Sequence, residues 1–226
     1  AADVRAEGVV SDARGSRFTL VVGGERASVE LPLLGSYNVE NALAAAAVAS
    51  VLSGLSVEEI ARALGTVPQV TGRLEMVVRE PYAVLIDFAH TPDALEGALG
   101  TLKPLTRGRL IVLFGAGGDR DRTKRRPMAE AVARWADLVV LTSDNPRTED
   151  PEAILDDLAT GLEGIAYTRL ADRRAAIRHA LAQARSGDTV VLAGKGHETY
   201  QVVGREKRPF DERAVVRECL AELGAA

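Results

Sequence analysis

Cysteine is almost absent from this sequence of 226 residues, and several other signals are missing with it. The single Cys219 excludes an internal disulfide framework and a zinc site built from cysteines. The longest apolar run, residues 42–49, is too short to span a bilayer, and the N-terminus has neither the charged start nor the apolar core of a signal peptide. The first residue is not methionine. We therefore expect a cytoplasmic protein, and a chain that is trimmed or is a piece of a longer one.

An excess of either charge is also lacking. The sequence has 28 Lys and Arg residues against 32 Asp and Glu residues, so no basic surplus indicates a nucleic acid or an anionic membrane as partner. Hydrophobic residues make up 46% and charged residues 27%, which excludes wholesale disorder. At about 150 residues per domain, this length predicts one large domain or one and a half small ones.

Residues 1–72 have the pattern of an incomplete unit. Three short β-type runs, VRAEGVV, RFTLVV and RASVEL, are separated by turn sequences and predict a small antiparallel sheet. Two helices follow, one at 36–52 with Ser36 as its N-cap and one at 57–64 capped by Ser56. Such a sheet and an alanine-rich helix have too little of their own to cover an apolar face, so we expect them to pack against sequence that precedes the chain.

Strands and helices alternate through the second part of the chain, residues 73–226. The predicted strands are 82–88, 109–117, 137–144, 165–169 and 188–196, and the predicted helices are 92–103, 123–136, 151–160, 171–185 and 210–223. Continuous apolar strands that alternate with helices are typical of a parallel sheet covered on both faces. We therefore predict an α/β fold for this part, a doubly wound domain with a mostly parallel sheet.

Polar and glycine-rich segments follow four of the five predicted strands. These segments begin at Asp87, with His90 and Asp93 after it, and are otherwise GAGGDRDR at 115–122, SDNPR at 143–147 and GKGHE at 194–198. Ligands of open α/β sheets bind at the carboxyl ends of the strands. A ligand site is therefore expected where these segments meet.

Each segment, taken singly, also has a plain structural interpretation. A helix cap, a surface histidine, an Asx-type turn or a glycine-rich loop that matches neither a P-loop nor a dinucleotide fingerprint accounts for them one by one. Turn chemistry does not explain why Arg120, Arg147, Lys195 and Glu198 gather at one sheet edge. The joint pattern therefore favours a site over four unrelated turns.

Six motifs in chain order resemble those of the Mur ligases. They are GSYNVEN (35–41), GRLE (72–75), DFAHTPDAL (87–95), GAGGDRDRTKRRPM (115–128), SDNPR (143–147) and AGKGHETYQ (193–201). The resemblance implies a uridine-nucleotide domain, a central ATPase domain with a P-loop and a Rossmann-like C-terminal domain. Because these 226 residues contain no GxxGKT-type P-loop, residues 1–72 resemble the tail of the central domain and residues 73–226 the C-terminal domain.

The resemblance implies an ATP-dependent ligation in peptidoglycan precursor synthesis, by the branch that adds the third amino acid. In that reaction ATP, with Mg²⁺, phosphorylates the D-glutamate γ-carboxylate of a UDP-muramyl dipeptide, and the amine of meso-diaminopimelate attacks the acyl phosphate. The phosphate-binding loop and the metal ligands would lie outside this chain, so we expect no catalytic or metal-ligating residue within it and no ligation by it alone. The resemblance further implies nucleotide contacts from Asn38, Asn41, Arg73, Asp87 and His90.

The predicted amino-acid site depends on the SDNPR and GKGHE segments. By the resemblance and its chemistry it comprises Arg120, Asp144, Asn145, Pro146, Arg147, Gly194 and Glu198. The far end of diaminopimelate carries a carboxylate and an ammonium group, which need receptors of opposite charge side by side. The planar fork of Arg147 suits the carboxylate, with Arg120 as a second positive charge, and Glu198 accepts from the ammonium group. Asn145 offers an amide contact, and Gly194 permits close approach of the backbone.

Three alternatives remain open. The same ligase could charge lysine or ornithine, but either would leave Arg147 without its carboxylate partner, at about 3–5 kcal/mol if the arginine is buried. The chain could belong to another member of the superfamily, such as a folylpolyglutamate-synthetase-like enzyme. It could also be a non-catalytic module that binds an amino acid or a nucleotide, an interpretation that the missing P-loop supports.

Overall fold

The computed structural model describes residues 3–224, and the chain divides after Gln69 into two compact units. The predicted boundary lay three residues further on, after Gly72. The segment between the two positions belongs with the second unit because the Arg73 amide donates to the Val70 carbonyl and the Phe88 amide donates to the Gly72 carbonyl.

The first unit contains the predicted antiparallel sheet. Its strands are β1 (Val4–Asp12), β2 (Gly15–Val22) and β3 (Glu25–Leu31), with β2 in the centre. One face of this sheet is apolar, and it packs against two helices, α1 (Ser36–Leu52) and α2 (Val57–Gly65). Phe18, Leu20, Val29 and Leu31 form the sheet side of this core. The unit thus has a small core of its own.

The start of α1 differs from the prediction, since Gly35 and not Ser36 is its N-cap. Gly35 has φ +97°, a backbone conformation that favours glycine, and a Cβ there would lie 2.5 Å from the Tyr37 ring. Ser36 is already the first helical residue, and no side chain caps the helix. The cap of α2 is as predicted: Ser56 Oγ accepts from the Glu59 amide, and Glu59 Oε2 accepts from the Ser56 amide.

The C-terminal half of α1 leaves apolar side chains in solvent. Val39, Ala42 and Ala46 are buried, whereas Val51 is 80% exposed and Leu52 is 79% exposed. The helix therefore buries only one narrow stripe within the described residues. Its alanines allow that stripe to approach the sheet closely.

The second unit is built on a six-stranded sheet in the order β4-β5-β9-β6-β7-β8. Its strands are β4 (Glu75–Val78), β5 (Ala83–Asp87), β6 (Leu110–Phe114), β7 (Leu138–Leu141), β8 (Tyr167–Arg169) and β9 (Thr189–Ala193). Five strands are parallel, and β4 runs antiparallel to β5 at one edge. The predicted doubly wound α/β fold is confirmed. The antiparallel edge strand β4, four residues long, was not predicted.

Helices connect and cover the strands. They are α3 (Pro92–Leu102), α4 (Arg125–Trp135), α5 (Pro151–Ala159), α6 (Arg173–Gln183) and α7 (Glu212–Glu222), with short 3₁₀ turns at Lys103–Leu105 and Arg122–Lys124. Helices α6 and α7 pack on one sheet face, where Ile111, Val140 and Val190 contribute to the core. Neighbouring strand residues such as Val112 and Val191 are equally buried on the opposite face, as the period of two requires.

A hairpin that the sequence analysis did not predict lies between β9 and α7. Its strands are β10 (Tyr200–Val203) and β11 (Glu206–Pro209), and they pair with each other alone. The hairpin touches the loop after β7 through a bridge between Arg147 and Val203. The parallel order brings the loops after β6, β7 and β9 to one edge of the sheet, and the hairpin borders them there.

The different caps of α1 and α2 predict different costs of losing a serine. We expect Ser56→Ala to lower the free energy of unfolding of the first unit by about 1 kcal/mol, because the α2 capping box is lost. Ser36→Ala, the matched control, leaves it within about 0.5 kcal/mol because the Ser36 side chain caps nothing. Urea denaturation of both variants measures the difference. Equal losses would show that Ser36 also supports its helix.

Candidate functional site

A cavity of about 370 Å³ lies at the carboxyl edge of the sheet in the second unit. Six of the seven residues predicted for the amino-acid site line it, namely Arg120, Asp144, Asn145, Arg147, Gly194 and Glu198. Pro146 does not, and its carbonyl instead accepts from the Glu149 amide within its own loop. Of the residues predicted for the nucleotide, His90 lines the cavity.

The cationic part of the cavity lining consists of Arg120, Lys124, Arg125 and Arg147. Arg147 Nη1 donates to the Gly118 carbonyl at 2.8 Å, which leaves Nε and Nη2 for an anionic ligand. The backbone of Arg147 is held in the left-handed region, with φ +51°, by two further bonds. Its amide donates to the Val202 carbonyl, and its carbonyl accepts from the Gly204 amide, so the hairpin supports this strained residue.

The two loops that carry these arginines are joined directly. The Gly118 amide donates to the Asn145 carbonyl at 2.9 Å, and the Asp119 carboxylate accepts from the Thr148 amide and hydroxyl. These hydrogen bonds hold the pKa of Asp119 below its ordinary value. The carboxylate of Glu149 accepts from the Asp119 amide at 2.6 Å. The loops after β6 and β7 therefore behave as one frame.

Asp144 and Glu198 line the cavity and form a charged cluster with Lys195, which does not line it. Lys195 is fully buried, and its Nζ lies 3.1 Å from Glu198 Oε2, 3.1 Å from Asn145 Oδ1 and 3.5 Å from Asp144 Oδ1. Burial alone would raise the pKa of Glu198, but hydrogen bonds from Asn145 and Lys195 outweigh it and hold that pKa below the ordinary value. Both bonds end at Oε2, so Oε1 is left to accept from a ligand.

Asn145 uses most of its amide within the protein. Its Oδ1 accepts from Lys195 Nζ and from the Val202 amide, and its Nδ2 donates to Glu198 Oε2. An amide offers two donors and two acceptor sites, so one N–H remains for a ligand. Asn145 therefore positions Glu198 and the hairpin, in addition to the ligand contact that the sequence predicts.

Gly194 lies close to another group of the protein itself, the carboxylate of Asp144. It has φ +118°, and a Cβ at this position would lie 2.9 Å from Asp144 Oδ2. The close approach that glycine permits is thus made by the Asp144 carboxylate, while Gly194 still lines the cavity. A side chain here would push Asp144 away from Lys195.

A buried guanidinium lies behind the charged cluster. Arg173, at the start of α6, donates to the Ser143 carbonyl at 3.1 Å and to the Ala193 carbonyl at 3.0 Å. Its Nε donates to Glu212 Oε1 at 2.8 Å, and both side chains are fully buried. Burial raises the pKa of Glu212, and the neighbouring Arg173 opposes that effect. Because Ser143 and Ala193 directly precede the two loops of the site, Arg173 fixes the distance between these loops.

The residues predicted for the nucleotide lie in three places: Asp87 is buried, Arg73 and His90 contact Phe88, and Asn38 and Asn41 lie on α1. Asp87 is buried, and its two oxygens accept from the Leu74 and Ala89 amides at 2.7 and 2.8 Å. Burial raises the pKa of Asp87, although these two bonds oppose it. Arg73 lies over the Phe88 ring, with its guanidinium carbon 4.9 Å from the ring centroid.

His90 is exposed and contacts the same aromatic ring. Its centroid is 4.5 Å from that of Phe88, and its Nδ1 is 2.7 Å from the Phe88 carbonyl. Asn38 and Asn41 lie on α1 in the first unit, where Asn41 Nδ2 donates to Asn38 Oδ1 at 3.3 Å. Asp87 is thus a residue that orders the backbone, whereas Arg73 and His90 keep polar groups for a ligand.

Two models of protein families match this chain. Residues 72–196, more than half of the chain, match the family model of the Mur ligase, glutamate ligase domain, and residues 1–49 match that of the Mur ligase middle domain. The chain belongs to the Mur ligase family. No helix among the described residues of this Mur ligase is long and apolar enough to cross a bilayer.

Two relatives similar to this Mur ligase carry the same name. The chain is 47% identical over 223 residues to the UDP-N-acetylmuramoyl-L-alanyl-D-glutamate–2,6-diaminopimelate ligase of Bacillus velezensis, covering 98% of this chain and 45% of that protein. It is 51% identical over 200 residues to the ligase of the same name from Nostoc sp., covering 86% of this chain and 40% of that protein. The Mur ligase chain thus spans less than half the length of these relatives.

Solved structures show the same fold. A structure of a ligase of that name covers 100% of this chain and 46% of its own, with a TM-score of 0.74 and 39% identity. The Mycobacterium tuberculosis folylpolyglutamate synthase, solved with ADP and AMPPCP, covers 85% of this chain and 45% of its own, with a TM-score of 0.69 and 25% identity. The expected family is confirmed.

Sequence patterns did not reveal two supports of this Mur ligase site. Arg173 appeared only as an early residue of a helix, and nothing in its neighbourhood marks it as buried. Gln201, which donates to the Asp144 carbonyl at 2.7 Å, lies on the unpredicted hairpin. The glycine at position 204, flanked by the short runs YQVV and EKRP, is a signal that could have revealed this hairpin.

The contacts of Asp87 predict a structural role in this Mur ligase. We expect Asp87→Asn to lower the free energy of unfolding by about 1–3 kcal/mol, because the Nδ2 of asparagine cannot accept from a backbone amide and one buried N–H loses its partner. Asp93→Asn is the matched control, since Asp93 is exposed in the first turn of α3. Thermal unfolding of both variants measures the difference. An Asp87→Asn protein of unchanged stability would favour a direct nucleotide contact instead.

Proposed function

We propose that this chain is the amino-acid-receiving part of a ligase in peptidoglycan precursor synthesis. The reaction joins meso-diaminopimelate to the D-glutamate γ-carboxylate of UDP-N-acetylmuramoyl-L-alanyl-D-glutamate in the cytoplasm. ATP phosphorylates that carboxylate, and the amine of diaminopimelate then displaces phosphate from the acyl phosphate. The names of relatives that are 45–51% identical over most of this chain support the proposal. The observation that carries it is the cavity that unites Arg120 and Arg147 with Glu198.

The cavity offers receptors of both signs for the two charged groups at the far end of diaminopimelate. The carbon that does not react carries one carboxylate and one ammonium group. Arg147 offers Nε and Nη2 as a planar pair of donors, and the more exposed Arg120 adds charge beside it. Glu198 Oε1 accepts from the ammonium group, with the spare N–H of Asn145 close by. Lysine and ornithine supply the ammonium group alone, so they leave the arginines unpartnered.

The residues of this chain do not by themselves fit a nucleoside triphosphate and its metal. The 226 residues contain no GxxGKT-type P-loop, and the described residues contain no cluster of three or more His, Cys, Asp or Glu side chains that could hold a metal ion. We therefore assign ATP phosphates and Mg²⁺ to groups outside this chain. The chain's own residues bind the amino acid, orient its attacking amine and hold the far end in place.

A smaller contribution to the nucleotide is proposed for two surfaces. Arg73, Phe88 and His90 present a cation, an aromatic ring and an imidazole together, which suits a ribose and its phosphate. Asn38 and Asn41, one helical turn apart on α1, offer amide groups that suit an adenine edge. In this proposal the first unit is the end of the ATP-binding domain and the second unit is the amino-acid domain.

Arg147 provides the main test of the proposed substrate. In the complete gene product, Arg147→Ala should lower kcat/KM for diaminopimelate roughly a hundredfold or more, because a charge-assisted bidentate contact is lost. KM for ATP should change little. The same variant should narrow the preference for diaminopimelate over lysine, since lysine never uses this arginine. For Arg147→Lys, kcat/KM for diaminopimelate should lie between the values of Arg147→Ala and of the native enzyme, because lysine keeps the charge but lacks the planar pair of donors.

Arg208→Ala is the matched control for that series. Arg208 lies on the same hairpin as the backbone partners of Arg147, but it is exposed and does not line the cavity. We expect this variant to keep both the efficiency and the preference. An Arg147→Ala enzyme that loses diaminopimelate and lysine activity in equal proportion would contradict the proposed role.

The absence of a P-loop predicts the behaviour of the chain by itself. Incubated with ATP, Mg²⁺, the UDP-muramyl dipeptide and diaminopimelate, the 226-residue chain should form no tripeptide, because nothing in it cradles the phosphates. The complete gene product should form it under the same conditions. Chromatographic detection of ATP-dependent tripeptide from the chain alone would contradict the proposed division of labour.

A further inference from the structure

Lys195 is the one charged residue of the GKGHE segment that no ligand can reach. Its side chain is fully buried, and it lies outside the lining of the cavity. A turn folds it beneath Glu198, since the Glu198 amide donates to the Lys195 carbonyl at 2.9 Å. Burying an ammonium group is costly unless its charge is compensated and its protons are bonded. The buried ammonium group of Lys195 must therefore be compensated by negative groups close to it.

The compensated groups are the two carboxylates of the cluster. Nζ is 3.1 Å from Glu198 Oε2 and 3.5 Å from Asp144 Oδ1, and the Asn145 oxygen at 3.1 Å completes its hydrogen bonds. Two carboxylates and one ammonium group leave a single net negative charge. That charge equals the one that a substrate ammonium group would neutralise at Glu198.

Other charged groups surround the cluster, and the cavity that it borders is also lined by Arg120, Lys124, Arg125 and Arg147. Arg173 and Glu212 form a fully buried ion pair, and the Glu212 carboxylate also interacts electrostatically with Lys195 and Asp144. His197 adjoins Glu198 in the sequence, and the Tyr200 ring centroid lies 6.0 Å from Nζ. Arg147 lines the same cavity, where it is free for the carboxylate of the amino acid. Lys195 is therefore the cation that faces both Asp144 and Glu198.

Two carboxylates that share a partly buried site without a cation tend to retain a proton between them. A retained proton would compete with an incoming ammonium group for the same oxygens. The buried ammonium of Lys195 removes that competition, because it stabilises both carboxylates in their ionised form. It does so through Glu198 Oε2 and Asp144 Oδ1, without occupying Glu198 Oε1.

We propose that Lys195 is a positioning residue that keeps Asp144 and Glu198 ionised together, so that the site presents one net negative charge to the substrate ammonium group without competition from a proton. This inference rests on the proposed function, because it takes the ligand of Glu198 to be the far ammonium group of diaminopimelate. It adds to that function a residue that never touches the substrate.

The test compares two variants of the complete gene product across pH. Lys195→Met removes the charge and keeps an unbranched side chain that is one atom shorter, and Lys195→Met/Asp144→Asn removes one charge of each sign. KM for diaminopimelate is measured from pH 6 to pH 8 and divided by the native value at each pH, which cancels the ionisation of the amino acid itself. KM for ATP is measured in parallel.

The expected result has a definite sign. For Lys195→Met the KM ratio is largest at low pH and falls roughly tenfold or more as pH rises, because the shared proton leaves and stops competing. For the double variant the ratio stays flat, since a single carboxylate remains and has no second carboxylate to share a proton with. KM for ATP stays within about twofold in both.

Lys207→Met is the matched control. Lys207 Nζ lies 4.3 Å from the centroid of the same Tyr200 ring, but Lys207 is exposed on β11. Its KM ratio should stay near one at every pH. This control separates the loss of a buried charge from the loss of any lysine beside Tyr200.

Each failure has a separate meaning. A Lys195→Met ratio that is raised equally at all pH values overturns the inference and leaves Lys195 as a structural tether. If Lys195→Met does not fold, Lys195→Gln takes its place: a KM ratio that falls as pH rises supports the inference, and a flat ratio or a failure to fold overturns it. If the native enzyme does not use diaminopimelate, the proposed function fails first, independently of the behaviour of Lys195.

Discussion

One buried guanidinium joins two strand ends that the sheet itself keeps apart. Strand β6 lies between β7 and β9, so these two strands share no backbone hydrogen bond. Arg173 crosses that gap by donating to the carbonyls of Ser143 and Ala193, and Glu212 neutralises its charge. Leaving either charge alone in the interior would be destabilising by about 3–5 kcal/mol. The two loops that begin after these carbonyls therefore start from a fixed separation.

The rest of the site is built on that separation. Lys195 links Glu198 of one loop to Asp144 and Asn145 of the other, at distances that only a constant spacing of the loops can maintain. The hairpin then holds Arg147 in its left-handed conformation from the far side. Opposite charges are thus kept apart by the protein before any ligand arrives, which reduces the entropy lost on binding.

Sequence patterns predicted most of the fold and the edge of the sheet at which the cavity lies. Apolar runs of strand length identified the five parallel strands, and the rule that ligands meet the carboxyl ends of such strands brought Arg147 and Glu198 together. The short strands β4, β10 and β11 were not predicted. Strands β4 and β10 are half-buried throughout and β11 is exposed throughout, so none of them alternates between buried and exposed residues. The Ser36 cap was wrong because Gly35, with φ +97°, takes the N-cap position and Ser36 already lies within the helix.

Residue types were easier to predict than their partners. Asp87, Asn145 and Gly194 all lie in or beside the expected region, yet each contacts other parts of the protein. Arg173 and Lys195 carry charge into the interior, where a sequence pattern gives no sign of it. Such contacts depend on how distant segments pack, and local propensity does not encode that packing.

We propose above all that the cavity binds the far end of an amino acid through the opposite charges of Arg147 and Glu198. A structure of the complete gene product with meso-diaminopimelate bound tests it most directly. We expect the far carboxylate to lie about 2.7–2.9 Å from the Arg147 guanidinium and the far ammonium group to donate to Glu198 Oε1. A bound amino acid whose far end lies away from both side chains, or whose ammonium group lies beside Arg147, would contradict it.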